Sequence, residues 1–429
     1  MDGLVYPDRT VHTGLLEYKN VYRPARVISY NKESGELVLH NYMDFDDLKD
    51  YVKISYELTQ DGLVISKGIL PEFSVAPHGE GKTNLKINVP ENGKCYLKLI
   101  YHLKKELPLL DEDHILGFDE IEVSKEDTKC KLAEKWIPKT VVDSELQVNE
   151  NDTQIHIKGR EFAYTIDKRT ALFTEMKFAG REYLNHPMEL NIWRAPTDND
   201  MYIKSEWKKA HYDKAYTRAY TTEVVQGKHG VKITSHASVV AETVQKILDV
   251  TITWKIEAAG KIDADIAVTK DDEFPDLPRF GVRMFLDKKL SAVRYFGMGP
   301  QESYCDKHQA ASHGLYRADV GDLHEDYIRP QENGSHYDCE YVELNNSRYG
   351  IVASAEKAFS FNASYYTQEE LEKKTHNYEL TESDSVVFCV DYALNGIGSN
   401  SCGPVVLEQY RFDDVLFRFQ FTLIPYIKG

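Results

Sequence analysis

Hydrophobic and polar residues alternate with a period of two along most of this chain. Val52, Ile54, Tyr56 and Leu58 alternate with Lys53, Ser55 and Glu57, as in a strand with one buried face. Asp61-Gly62 follows and supplies a tight hairpin turn, because glycine tolerates a positive φ. Leu85, Ile87 and Val89 repeat the alternation before Pro90, and Leu97, Leu99, Tyr101 and Leu103 repeat it again. Short half-buried strands separated by Asp, Gly, Asn and Pro turns predict a β-sandwich over residues 21–125. The mixed Lys/Glu stretch after Ser124, with Pro138 near its end, predicts a linker over 126–144.

From residue 145 the alternation resumes and runs to the end. Phe162, Tyr164 and Ile166 share a face; so do Val250, Ile252, Trp254 and Ile256, and finally Phe417, Phe419, Phe421 and Leu423. This texture predicts one large antiparallel domain over 145–429, with two big sheets packed face to face. Helices are few. The clearest opens at Thr367, where Glu370 completes a capping box before Leu371. No segment repeats at a period of ~20–50 residues, which argues against a propeller or solenoid.

Composition narrows the partners. The 28 tyrosines and 17 phenylalanines favour strands, and such rings also line sugar sites. A formal net charge of −17 argues against nucleic acid, which binds clustered Lys and Arg. The short basic run Lys204, Lys208, Lys209 reads as a solvated helix face. No stretch reaches the ~20 apolar residues of a membrane span, and MDGLVYPDRT lacks a basic segment followed by an apolar one. The cysteines at 95, 130, 305, 339, 389 and 402 form no C-x-x-C pair and read as free thiols in a reducing cytoplasm.

Self-sufficient catalytic motifs are missing: there is no G-x-S-x-G, H-E-x-x-H or G-x-x-x-x-G-K-[ST]. Four dense polar-aromatic loops stand out instead. They are Trp193 to Asp200 (WRAPTDND), Tyr295 to Tyr304 (YFGMGPQESY), Arg329 to Gly334 (RPQENG) and Gly396 to Pro404 (GIGSNSCGP). Arg194, Asp198, Asn199, Asp200, Glu302, Tyr304, Glu332 and Asn333 offer the directed hydrogen bonds and flanking rings that a sugar requires. The same residues can equally satisfy their own loop backbones through Asx turns and Pro/Gly corners. Glycoside hydrolysis needs two carboxyl groups ~5–9.5 Å apart. No spacing here sets Asp198, Asp200, Glu302 or Glu332 opposite another acid across a cleft.

WRAPTDND, FGMGPQESY, RPQENGS and GIGSNSCGP, in this order, resemble the final domain of bacterial β-galactosidases of glycoside hydrolase family two. Asp2 to His12 resembles that family's exit from its catalytic barrel, with Val11 where proline is usual, and Leu16 to Val21 continues the match. The resemblance covers essentially the whole chain. It implies an all-β protein: an immunoglobulin-like β-sandwich followed by a large, galactose-mutarotase-like antiparallel supersandwich, with residues 1–20 a tail from the barrel. In the family the acid/base, the nucleophile and the Mg2+ ligands lie on the (β/α)8 barrel. This stretch begins where that barrel ends, so no catalytic residue is expected within it, and the chain reads as a truncated piece that is inactive alone.

The resemblance implies further roles for particular residues. Aligning the last loop places Cys402 where better-known members carry a tryptophan that stacks on the aglycone side of the galactoside. A thiol cannot stack, so the acceptor side is expected to be roomier. Ser399, Asn400, Ser401 and Cys402 are thus the expected substrate-pocket residues. Asp2 falls where the family supplies a ligand for a monovalent cation. The barrel and preceding domains of the same enzyme, galactosides such as lactose, and further subunits of an oligomer are the implied partners. Two other readings stay open: a free-standing carbohydrate-binding module, and an aldose mutarotase using a His/Glu pair among His308, His313, His324 and His336.

Overall fold

The computed structural model describes residues 3–125, 128–136, 146–243, 246–398 and 403–428. It is an antiparallel all-β protein that divides into two compact units. The first comprises Met1–Leu132 with Phe296–Gln301 and His308–Tyr316; the second comprises Ala133–Tyr295, Glu302–Lys307 and Arg317–Gly429.

In the first unit the alternating runs become two sheets. One orders Leu63–Ile69, Val52–Gln60, Cys95–Leu103 and Ile115–Glu122; the other orders Ala25–Tyr30, Glu36–Asn41 and Glu80–Asn84. Leu37, Leu39, Val52, Leu58, Leu97, Leu99 and Tyr101 meet in one buried cluster, the packing of an immunoglobulin-like sandwich. Asp61 and Gly62 turn the hairpin at φ 46° and 78°, the left-handed pair that a two-residue turn requires. A Cβ on Gly62 would lie 2.2 Å from the Leu315 backbone nitrogen, so this glycine is demanded twice over.

Two local expectations change. Leu85 is buried, and Ile87 and Val89 pack on the core, but 85–90 forms no strand; the ladder stops at Asn84. Alternation reports which face is buried, and an extended segment without a ladder partner satisfies it equally well. The stretch before residue 21 carries a helix, Thr13–Val21, capped by the His12 ring, which accepts from the Gly14 N–H at 3.3 Å. Its Asn20 side chain ties it to the strand Ile115–Glu122 by accepting from the Phe118 N–H at 2.7 Å and donating to the Phe118 carbonyl at 3.2 Å.

In the second unit, nine strands follow one another across a large sheet. Their order is Leu184–Asn191, Arg279–Asp287, Ser385–Leu394, Tyr349–Ser364, Leu416–Ile427, Ile262–Lys270, Leu248–Glu257, Gly230–Val240 and Tyr216–Gly227. A second sheet of five short strands spans residues 147–182. Trp254, fully buried, joins the two layers. Its indole donates to the Ala171 carbonyl at 2.8 Å, and its ring meets Phe173 and Phe421 edge-on. Within the interval read as a linker, Leu132–Trp136 forms a 3-10 turn. Trp136 stacks on Tyr426 with ring centroids 3.7 Å apart. The basic run lies in the helix Ile203–Lys209, which buries only Trp207. Thr367 caps the helix Gln368–Lys373 by accepting from the Glu370 N–H at 3.1 Å.

Candidate functional site

Three of the four polar loops converge in the second unit, and the ends of two strands complete the cluster. Arg194, fully buried, lays its guanidinium along Asp200, with Nη2 at 2.7 Å from Oδ1 and Nε at 3.1 Å from Oδ2. It also donates to the carbonyls of Asn395 at 2.5 Å and Gly396 at 3.1 Å. Arg279 repeats the arrangement on the neighbouring strands: Nη2 lies 2.5 Å from Asp391 and Nη1 2.8 Å from Glu332. The second oxygen of Glu332 accepts from the Ala195 N–H at 3.3 Å, which joins the two pairs. Burial alone would depress the Arg279 guanidinium, but Asp391 and Glu332 hold it well above its ordinary value. Burial pushes both of those carboxyls up, and Arg279 offsets only part of that.

The backbone that all this grips is residues 395–398. The Asn199 amide donates to the Ile397 carbonyl at 2.6 Å. Asp306 accepts from the Ile397 and Gly398 N–H groups at 3.0 and 2.8 Å. The Asn395 side chain accepts from the Phe412 N–H at 2.9 Å. Gln331 accepts from the Asp198 N–H at 2.9 Å, while the Asn333 side chain binds the Glu325 N–H and the Gln331 carbonyl. These side chains hold loops in place. Ser399, Asn400, Ser401 and Cys402 lie outside the described residues, as does Asp2; the cluster fixes the backbone that leads into 399–402.

The remaining polar loop is divided, with Phe296–Gln301 in the first unit and Glu302 and Tyr304 in the second. Glu302 is buried and accepts from Lys307 at 2.6 Å, Tyr327 at 2.5 Å, the Gly334 N–H at 2.9 Å and Tyr304 at 3.4 Å. Burial alone would raise its pKa, but Lys307, Tyr327 and Gly334 overcome that and lower it from 4.5 to about 2. A depressed folded-state pKa stabilises the fold above the unfolded value, and that contribution is lost as pH falls through the folded value. Glu302 should therefore supply about 3 kcal/mol that disappears between pH 4.5 and 2. Glu332 and Asp391, shifted upward, carry the opposite sign. Unfolding free energies measured from pH 6 to 2 should slope steeply in that window, and Glu302→Gln should flatten the slope. An identical slope in the variant would show that this carboxyl is not held ionised.

Beside residues 395–398 opens a cleft of about 580 Å³, walled in part by Asn199, Tyr202, Asp276, Asn395, Val406 and Arg411. Tyr202 is 61% exposed. Burial, with Asp413 nearby, raises the Asp276 carboxyl. Of the sequence candidates among the described residues, only Asp198 and Asn199 remain partly exposed; Arg194, Asp200, Glu302, Tyr304, Glu332 and Asn333 are buried. Tyr202, Asp276, Arg279, Asp391 and Arg411 were not singled out from sequence. Tyr202 was within reach, since it follows WRAPTDND by one residue. Of the four histidines considered, His308 and His313 fall in the first unit, and His324 and His336 in the second. His313 is held by Glu120 at 2.7 Å and stacks on Tyr96. Among the described residues no group of three or more His, Cys, Asp or Glu is placed to hold a metal ion, and no helix is long and apolar enough to cross a membrane.

Fold and site together define an antiparallel β protein whose polar loops are cross-braced around one strand-to-strand connection. Comparison with known proteins then gives the family. The chain belongs to the β-galactosidase small chain family, whose model matches residues 158–423, and the model of β-galactosidase domain 4 matches residues 37–124. β-Galactosidase of Actinobacillus pleuropneumoniae is 44% identical over 99% of this chain and 41% of its own length. That of Staphylococcus xylosus is 31% identical over 99% of this chain and 42% of its own. The chain thus spans about two fifths of the length of these relatives. Among solved structures, galactose 1-epimerase from Lactobacillus acidophilus NCFM matches with a TM-score of 0.35 and 7% identity, covering 67% of this chain and 99% of that one. A GalM/aldose epimerase homologue from C. elegans matches with a TM-score of 0.31 and 9% identity, covering 67% and 99%.

Proposed function

We propose that this chain is the carboxy-terminal part of an enzyme that hydrolyses terminal β-D-galactosides such as lactose. Its role is to complete a pocket whose catalytic carboxylates and Mg2+ lie in a barrel outside these residues. The observation that carries the reading is the bracing of residues 395–398 by Arg194, Asn199 and Asp306. Five side-chain hydrogen bonds are spent on the backbone that presents 399–402. A segment intended to meet a substrate must be held close to its productive position, and buried supporting groups do this. Asp200, Glu302 and Glu332 support the same reading, since each is buried and engaged by cations and N–H groups rather than facing another acid across a gap. Cys402 then leaves the aglycone side open.

Hydrolysis of a chromogenic galactoside tests this. The chain alone should give no turnover. Mixed with the Actinobacillus pleuropneumoniae relative truncated by its matching carboxy-terminal two fifths, it should restore hydrolysis that neither piece shows by itself. Turnover by the purified chain alone would overturn the proposal.

A further inference from the structure

A second cleft of the supersandwich adjoins the loop cluster, with Tyr304, Arg411 and Phe412 in its wall. It has a volume of about 480 Å³ and lies over the strands Tyr349–Ser364, Ser385–Leu394 and Leu416–Ile427. Tyr337, Tyr392 and Tyr410, all half-buried, line it together with Gln409, Asp414 and Gln420. The size falls within the range of small-molecule pockets, ~300–1,000 Å³.

Its wall is rigid where a ring would stack. Tyr392 stacks on Phe417 at 4.8 Å between centroids and 16° between planes, and Phe412 and Phe419 pack on it at 5.8 and 6.1 Å. Asp414 lies beside Tyr392 in the lining, so the platform and its acceptor are neighbours. Asp414 and Gln420 remain exposed at the rim. The lining carries three acids, Asp338, Glu356 and Asp414, and three bases, Lys357, Arg411 and Arg418, the last already paired with Asp265. A phosphorylated or polyanionic ligand would need a surplus of cations. Half-buried rings with carboxylate and carboxamide groups at the edge suit a neutral polyol, which offers an apolar ring face and many hydroxyls.

We infer that this cleft is a saccharide-binding site for a neutral mono- or disaccharide, adjoining the cleft beside residues 395–398, with Arg411 in the wall of both. Bound there, a sugar stacks on the tyrosine wall and places hydroxyls against Asp414, Gln409 and Gln420. The inference goes beyond the proposed hydrolytic role and does not rest on it.

Saturation-transfer NMR on the 429-residue chain, with galactose, glucose and lactose as probes, tests the site. At least one sugar should receive saturation and titrate in the millimolar range. Asp414→Asn and Gln420→Ala change exposed side chains and should each weaken that binding by at least about tenfold. Tyr392→Ala should abolish it, but its ring also packs in the core, so the two rim variants decide if it does not fold. Three results would overturn the site: no transfer to any of the sugars, binding that both rim variants leave unchanged, or displacement of the sugar by inorganic phosphate. Restored hydrolysis in the mixing experiment is read on a different substrate response and can succeed or fail independently.

Discussion

Replacing Arg279 by methionine is expected to be the most damaging single change in the second unit, lowering the unfolding free energy by roughly 3–5 kcal/mol. Asp391 and Glu332 depend on this guanidinium, and neither they nor Arg279 reach solvent. Methionine fills similar volume, so the cost comes from two acids stranded in a low-dielectric interior rather than from a void. Both will take up protons to escape, and the variant should therefore be relatively more stable at acidic pH than at neutral pH. Urea unfolding followed by circular dichroism measures this. Adding Asp391→Asn and Glu332→Gln should recover part of the loss, because neutral partners no longer need a cation. A midpoint that Arg279→Met leaves in place would mean the network contributes nothing to the fold.

Arg194→Lys is the second large effect, and its signature is local. Lysine keeps the charge but cannot reproduce a planar fork that meets Asp200 with two nitrogens and two carbonyls at once. Breaking this buried pair should cost roughly 3–5 kcal/mol if no donor replaces it, and somewhat less with the ammonium retained. Hydrogen exchange distinguishes the site from general weakening. The amides of Gly396, Ile397, Gly398 and Phe412 should exchange faster, while those of Leu248–Glu257 follow only the global change. Uniform acceleration across both regions would show that Arg194 supports the sheet and does not specifically brace the connection.

The pattern of the sequence carried the strands well because burial in a sheet imposes a period of two. Val52–Gln60, Cys95–Leu103, Leu248–Glu257 and Leu416–Ile427 could all be read that way. Residues 85–89 show the limit of that signal, since alternation persisted where no partner strand was available. The placement of 296–301 and 308–316 in the first unit was out of reach, because local pattern says nothing about which sheet a distant segment joins. The helix Thr13–Val21 is short, and its last turn is anchored by Asn20 rather than by an apolar stripe. A period-based reading passes over it.

At the candidate site, residue types were legible and their engagement was not. Arg194, Asp200, Glu302 and Glu332 stood out as chemistry-bearing, and the structure shows each largely consumed by its neighbours. Some of the partners that consume them, Arg279, Lys307 and Tyr327, lay outside the conspicuous loops. Asp391 has one sequence clue: it ends the apolar run VVFCV, and a lone acid there must find a cation. Arg279, just after Pro278, answers it from a strand more than a hundred residues earlier, a match that only the register of Arg279–Asp287 against Ser385–Leu394 reveals.

The distribution of indoles gives the molecule a built-in optical asymmetry. All four tryptophans, Trp136, Trp193, Trp207 and Trp254, belong to the second unit. Emission excited beyond the tyrosine band therefore reports on the supersandwich alone, and the immunoglobulin-like unit can melt without a spectral trace. A single transition seen by tryptophan emission is thus no measure of cooperativity between the units. Comparing it with far-ultraviolet dichroism, which counts strands in both, separates their stabilities without cutting the chain.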